Sequence, residues 1–329
     1  MPTLIDLRRR IRSVQNSEQI TQAMKTVSMA KFRKAQRTVQ EARPFWHLFP
    51  ELMNRLAYWA ASGSHPLLLR RDEKRIEVIV VTSDKGLAGA YNSNLLAAAE
   101  AFIQEKEKGT GAGLPTGFAV PVLETGSPGP ATATGLAVPV LETGMGGGRT
   151  GVRLVLIGKK AVNFFRKRPH PIDRTFGDRT DRLGREELRD LSEFLMRQYA
   201  FQKIDAVYIV TNEFKSILAP RIMTHKVLPL EPDAGKEASA ALLPDWEPGE
   251  RRLAGFLLPL YVESQIHHAF HESQAAEQAA RMMAMDNATQ NAKELIDDLV
   301  LQLNKIRQAG ITKELLEIMT AVEALRQKD

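Results

Sequence analysis

The residues best suited to chemistry lie near the C-terminus. Glu263, His267 and His271 recur at i, i+4 spacing and would share one face of a helix, with His268 and Glu272 beside them. Imidazole and carboxylate so spaced resemble a zinc-ligand set, but no adjacent segment supplies a further ligand. The spacing therefore favours a solvated polar face. The neighbouring Met282, Met283 and Met285 are of the type that fills gaps in packing.

Phosphate-binding chemistry has equally little support. No G-x-x-x-x-G-K-[ST] occurs. Gly146, Gly148 and Gly151 fit G-x-G-x-x-G, but they precede an apolar run, whereas the dinucleotide fingerprint follows a strand and opens a helix. Ser83-Asp84-Lys85-Gly86-Leu87-Ala88-Gly89 does follow an apolar run, where ligands of open sheets bind, yet it lacks the fingerprint spacing. It reads as a turn that caps the next helix. Spacing shows neither a Ser-His-Asp set nor a carboxylate pair, so no catalytic, cofactor-binding or metal-binding residue is assigned. The chain has no cysteine, which excludes disulfides, thiolate metal sites and thiol switches.

The elements that would carry such residues are dominated by two long helices. From Thr3 to about Ala60 there is no glycine, and Leu4, Leu7, Ile11 and Val14 recur at spacings of three and four. Ile20, Met24 and Val27 continue the rhythm. At the other end Ala288, Ala292, Leu295, Leu299, Leu303 and Ile306 repeat similarly, followed by Ile311, Leu315, Ile318 or Met319, Val322 and Leu325. A periodic run this long predicts a coiled coil. At 1.5 Å per residue, about 70 residues would extend about 100 Å, farther than a small domain, so the helix must project, with the N-terminal helix as partner for its lower part.

Between them, Ile76-Glu77-Val78-Ile79-Val80-Val81 reads as a buried strand, followed by a helix over about Asn92–Lys108. Further strands are expected at Val152–Ile157, Ile204–Val210 and Ile217–Leu230, the last as one strand or two. Helices are expected at Lys159–Arg168 and about Arg185–Phe201. This alternation predicts a small, mostly parallel α/β sheet. Residues 109–151, rich in Gly, Pro, Thr and Ala, contain GFAVPVLETG at Gly117 and GLAVPVLETG at Gly135, and read as a flexible insertion with a short duplication. The organisation expected is thus an N-terminal coiled-coil helix (1–60), a Rossmann-like α/β domain (75–230) interrupted by the insertion (109–151), a loop (231–252) and a C-terminal coiled-coil helix (253–329).

Composition and charge limit function further. With 43% hydrophobic and 26% charged residues the chain has a globular balance, and no stretch approaches a membrane span. It reads as soluble. The net charge is +6, and residues 1–43 hold ten basic and three acidic side chains, a local +7. From Gly255 onward there are eleven acids and seven Lys/Arg, a local −4. Opposed charge suits partner helices at least as well as a phosphate backbone. The alternative is a nucleic-acid-binding protein using the basic N-terminal helix. It requires steep salt dependence but has no base-reading motif.

Long ordered motifs favour another reading. Ile11–Lys25 (IRSVQNSEQITQAMK), Ser83–Asn94 (SDKGLAGAYNSN), Asn212–Ser216 (NEFKS), Glu277–Ala292 (EQAARMMAMDNATQNA) and Asn304–Ile318 (NKIRQAGITKELLEI) resemble the gamma subunit of F-type ATP synthase along essentially the whole chain outside the insertion. The resemblance implies a non-catalytic rotor subunit without a cofactor. It would transmit torque from a proton-driven ring of membrane c subunits to three alpha and three beta subunits, with an epsilon subunit at the foot. The location implied is peripheral, on the cytoplasmic face of the bacterial plasma membrane. Met24, Arg281, Arg307, Gln308, Thr312 and Glu314 match family positions facing the alpha and beta subunits. Trp246 and Glu247, in Asp245-Trp246-Glu247-Pro248, stand where the family contacts the ring. Ala88 replaces a frequent cysteine and Leu303 a frequent tyrosine, and the insertion departs from the usual bacterial pattern.

Overall fold

The computed structural model describes residues 3–60, 65–108, 151–177, 180, 183–214, 221–231 and 250–326. The duplication, Gly146, Gly148, Trp246 and Glu247 lie outside the described residues. In chain order the elements are α1 (Leu4–Ala60), a 3-10 turn (Pro66–Leu68), β1 (Arg75–Val81), α2 (Tyr91–Glu107), β2 (Gly151–Ile157), α3 (Lys159–Phe165), β3 (Ile172–Phe176), α4 (Arg185–Ala200), β4 (Ala206–Glu213), β5 (Arg221–Leu228) and α5 (Glu250–Arg326). Two compact units divide the chain: Met1–Arg33, Leu87–Gly89 and Gln278–Asp329 form one, and Lys34–Gly86 and Ala90–Glu277 the other.

The larger unit is built on a five-stranded sheet of order β3-β2-β1-β4-β5, parallel except for the antiparallel edge strand β5. Central strand β1 is buried along all but its first residue, as its β-branched run requires of a strand covered on both faces. Side chains alternate between the faces. Ile76, Val78 and Val80 pack in a core with Leu95, Ala99 and Ile103 of α2 and Phe165 of α3. Ile79 and Val81 pack in a second core with Leu188, Leu191 and Leu195 of α4 and Leu258, Val262 and Ile266 of α5. Each face of the sheet therefore buries apolar area at roughly 25 cal/mol per Å².

Strand β3 escapes the sequence pattern, because IDRTF is a half-exposed edge strand without a sustained apolar run. Helix α3 ends at Phe165, short of Arg166, Lys167 and Arg168, and β4 begins later and runs to Glu213. Within the described part of Ile217–Leu230 there is one strand, β5.

The smaller unit contains the N-terminal half of α1 and the C-terminal part of α5. Leu4, Leu7, Ile11, Val14, Glu18, Thr21, Met24, Lys25, Ser28 and Phe32 form the buried or half-buried stripe of α1. On α5 the stripe is Met285, Thr289, Ala292, Ile296, Leu299, Leu303, Ile306 and Gly310. Both stripes step by three and four, as a coiled coil demands. Ile20, Val27 and Leu295 depart from expectation and are exposed. Each lies one residue off the stripe, about 100° around the helix, so position in the period wins over residue type. Thr21 lies 2.8 Å from Thr289 and Lys25 lies 2.5 Å from Asp286, which sets the helices antiparallel.

Candidate functional site

In an open α/β sheet the natural ligand site is the crevice at the carboxyl ends of the strands where the order reverses, here between β1 and β4. The chain fills that place itself. Helix α5 brings the Ala269 carbonyl to accept from Thr211 Oγ1 at 3.1 Å, and Glu272 to accept from the Phe214 amide at 2.7 Å. Tyr91, in the first turn of α2, donates to the Ser273 carbonyl at 3.0 Å. Thr211, Glu272, Ser273 and Tyr91 are all buried.

The loop after β1 completes the closure. Asp84 accepts from the Lys159 amide at 3.0 Å and from both the amide and the hydroxyl of Thr180. Thr82 Oγ1 accepts from the Ala161 amide at 2.9 Å, and the Ser83 carbonyl accepts from Lys160 at 3.2 Å. These are the free amides at the start of α3, where nucleotide-binding sheets can place a phosphate. Here a carboxylate and a hydroxyl of the same chain take them. The 83–89 segment thus caps α3, whereas no side chain caps α2, where the sequence predicted the cap. Asn92 braces the loop by accepting from the Ser83 amide at 3.1 Å. Gly158, at φ +96°, allows the close approach, since a Cβ there would lie 2.3 Å from the Thr82 carbonyl oxygen.

The histidine group is not a solvated face. Glu263, His267 and His271 are largely buried on α5, with His267 Nε2 3.8 Å from Glu263 and the two imidazole rings 6.1 Å apart. Burial, then repulsion from His271 and Arg185, holds His267 at about 4. Burial, then His225 and His271, holds His268 at about 4. His271 is lowered by burial as well. Among the described residues no group of three or more His, Asp or Glu side chains converges as a metal site. The arrangement keeps neutral imidazoles packed inside the fold. Met282 and Met285 are buried too.

The residues matched to family contacts with the alpha and beta subunits all belong to the smaller unit. Met24 is half-buried and Arg281 is 7% exposed. Arg307, Gln308, Thr312 and Glu314 are exposed on α5, and Thr312 donates to the Gln308 carbonyl one turn back at 3.0 Å. Counted from the Thr21–Thr289 pair at equal rise along both helices, Leu7 falls level with Leu303 and Leu4 with Ile306, so α1 is used up near Gly310. Every residue from Ile311 to Thr320 is exposed, including Ile311, Leu315, Leu316, Ile318 and Met319 at 52–67%. Large apolar side chains in such numbers mark a surface that a partner covers. The periodic pattern continues through them, and among the described residues no helix lies opposite them, as expected of a pairing confined to the lower part of α5.

Fold and site together define a subunit of a larger assembly, with its sheet crevice closed and an apolar helix end open. A family model described as ATP synthase matches residues 3–117 and 140–325. The ATP synthase gamma chain of Desulforudis audaxviator is 36% identical over 337 residues, covering 99% of this chain and 100% of the relative. That of Solibacter usitatus is 37% identical, covering 98% and 99%. A chain of the Euglena gracilis mitochondrial ATP synthase matches with TM-score 0.59 and 18% identity, covering 98% of this chain and 94% of that one. A chain from the central stalk and c-ring of the Tetrahymena thermophila enzyme matches with TM-score 0.53 and 19% identity, covering 82% and 99%. These two show a shared fold. The chain belongs to the ATP synthase gamma-chain family and is a non-catalytic subunit. The nucleic-acid reading gives way to this one. No helix among the described residues is long and apolar enough to cross a membrane.

Proposed function

We propose that the chain is the central-stalk rotor of an ATP synthase, carrying torque between a proton-driven c-subunit ring and a catalytic hexamer of three alpha and three beta subunits. The observation that carries this reading is the exposed apolar end of α5 from Ile311 to Met319. Inside a ring of unlike contacts, such an end has a different interaction free energy at each rotational position. That difference can shift catalytic sites between tight and open states.

Arg307, Gln308, Thr312 and Glu314 provide the polar contacts on this end of α5. The Arg307 guanidinium suits a carboxylate pair on a neighbouring loop, and Gln308 adds a neutral hydrogen-bonding group. Met24 joins them from α1, and Arg281 by the small part of its side chain that remains exposed. Trp246 and Glu247 are assigned to the c-ring, with the epsilon subunit also against the α/β unit. The complex is placed on the cytoplasmic face of the bacterial plasma membrane. In the assembled complex, Arg307→Ala with Gln308→Ala removes a charge-assisted contact worth about 1.5–3 kcal/mol. ATP hydrolysis is expected to fall by roughly ten-fold or more at that cost, while nucleotide binding to isolated beta subunits is unchanged. Unaltered hydrolysis and coupling in the double variant would overturn the assignment.

A further inference from the structure

We infer that a short polar layer between α1 and α5, made by Lys25 with Asp286 and Thr21 with Thr289, fixes the axial register of the helix pair. It thereby determines how much of α5 extends past the start of α1.

The aliphatic part of the seam discriminates register poorly. Counted from the Thr21–Thr289 pair at equal rise along both helices, Ile11 falls level with Leu299 and Val14 with Ile296. Sliding α5 by one heptad would set Ile11 against Ile306 and Val14 against Leu303, again aliphatic on aliphatic. The same slip is unfavourable in the polar layer. Thr21 would meet Ile296, and Lys25 would meet Lys293, setting two ammonium groups together where the carboxylate had been.

Geometry supports the discriminating role. Lys25 Nζ lies 2.5 Å from Asp286 Oδ1, with the two side chains 30% and 48% exposed. The Thr21 and Thr289 hydroxyls lie 2.8 Å apart, with the Glu18 and Met285 carbonyls as further acceptors at 2.9 and 2.8 Å. A pair this exposed adds little net stability. Its value lies in penalising alternatives, as single polar positions do in other coiled coils.

The absence of cysteine makes the test direct. Two disulfide reporters are placed in the full-length chain: Ile11→Cys with Leu299→Cys reads the observed register, and Ile11→Cys with Ile306→Cys reads a slip of two turns, about 10 Å. With Lys25 and Asp286 intact, only the first pair is expected to crosslink. Lys25→Asp should raise the slipped crosslink from background to a yield comparable with the first. The reversal Lys25→Asp with Asp286→Lys should return it to background. A Lys25→Asp chain that crosslinks only in the observed register would overturn the inference, and so would a reversal that fails to restore it. Should Lys25→Asp alone lose its helical circular dichroism, the reversal still decides. Recovery of helix with only the observed crosslink supports the lock, and any other result rejects it. The readout is independent of assembly with alpha and beta subunits, so failure here leaves the rotor reading standing.

Discussion

Tyr208 on β4 donates its phenolic hydrogen to Glu73 at 2.7 Å, and the same carboxylate receives Lys106 of α2 at 2.7 Å and Lys226 of β5 at 2.9 Å. One acidic side chain ahead of β1 thus ties together α2 and two strands, and Lys226 extends the network to Glu231 at 2.9 Å. Burial alone would raise Glu73, but the hydrogen bonds from Lys106, Tyr208 and Lys226 overcome it and hold the group at about 2.

Because the folded value is depressed below the ordinary value near 4.5, this network stabilises fully above pH 4.5 and is lost as pH falls through about 2. Glu73→Gln removes the charge and should cost about 2–3 kcal/mol at neutral pH, allowing for partial exposure. Urea unfolding at pH 7 and pH 3 checks both statements: the gap between the natural chain and the variant should narrow at pH 3.

Glu77 has the opposite sign. It sits fully buried in the middle of β1, and neither carboxylate oxygen has a hydrogen-bond partner. Burial, reinforced by Asp173 and opposed by Arg153, raises it to about 8. A raised folded value means stability is greatest below about pH 4.5 and declines as pH rises through 8. Glu77→Met, of similar volume, should remove this slope and stabilise the sheet unit at pH 9 by on the order of 3–5 kcal/mol. Thermal melts of the two chains at pH 6 and pH 9 measure it, and equal melting temperatures at pH 9 would contradict the account.

The buried imidazoles act on the acid side. His267 and His268, held at about 4, remain neutral in the fold while the unfolded chain takes up protons near 6.5. Their contribution is therefore lost progressively as pH falls from 6.5 through 4. Since Arg185 faces His267, and His225 and His271 face His268, charging them adds repulsion. Replacing His267 and His268 by Gln should flatten the stability profile between pH 6.5 and 4 relative to the natural chain, as read by melting temperature.

Much of the architecture was legible from the residues. Val and Ile runs marked β1 and β2, because strands covered on both faces must be apolar throughout. Heptad spacing marked α1 and α5, because a helix pair exposes its period over many turns. What escaped depends on tertiary context. The IDRTF edge strand carries no apolar alternation, and Glu77 is hidden inside a run that reads as purely apolar. The polar stripe positions Thr21, Ser28 and Thr289 were passed over for the better hydrophobes Ile20 and Val27. Closure of the sheet crevice by Asp84, Glu272 and Ser273 has no local signature, since those residues come together only when α5 packs across the strand ends. The contact set was named through family motifs, and the apolar end of α5 is the physical feature that points the same way.

The central claim is that this chain works as the single rotor inside a ring of catalytic subunits. Native mass spectrometry of the complex purified through this chain tests it most directly. The account predicts one copy of the chain with three alpha and three beta subunits. A stable monomer that captures neither subunit would contradict it.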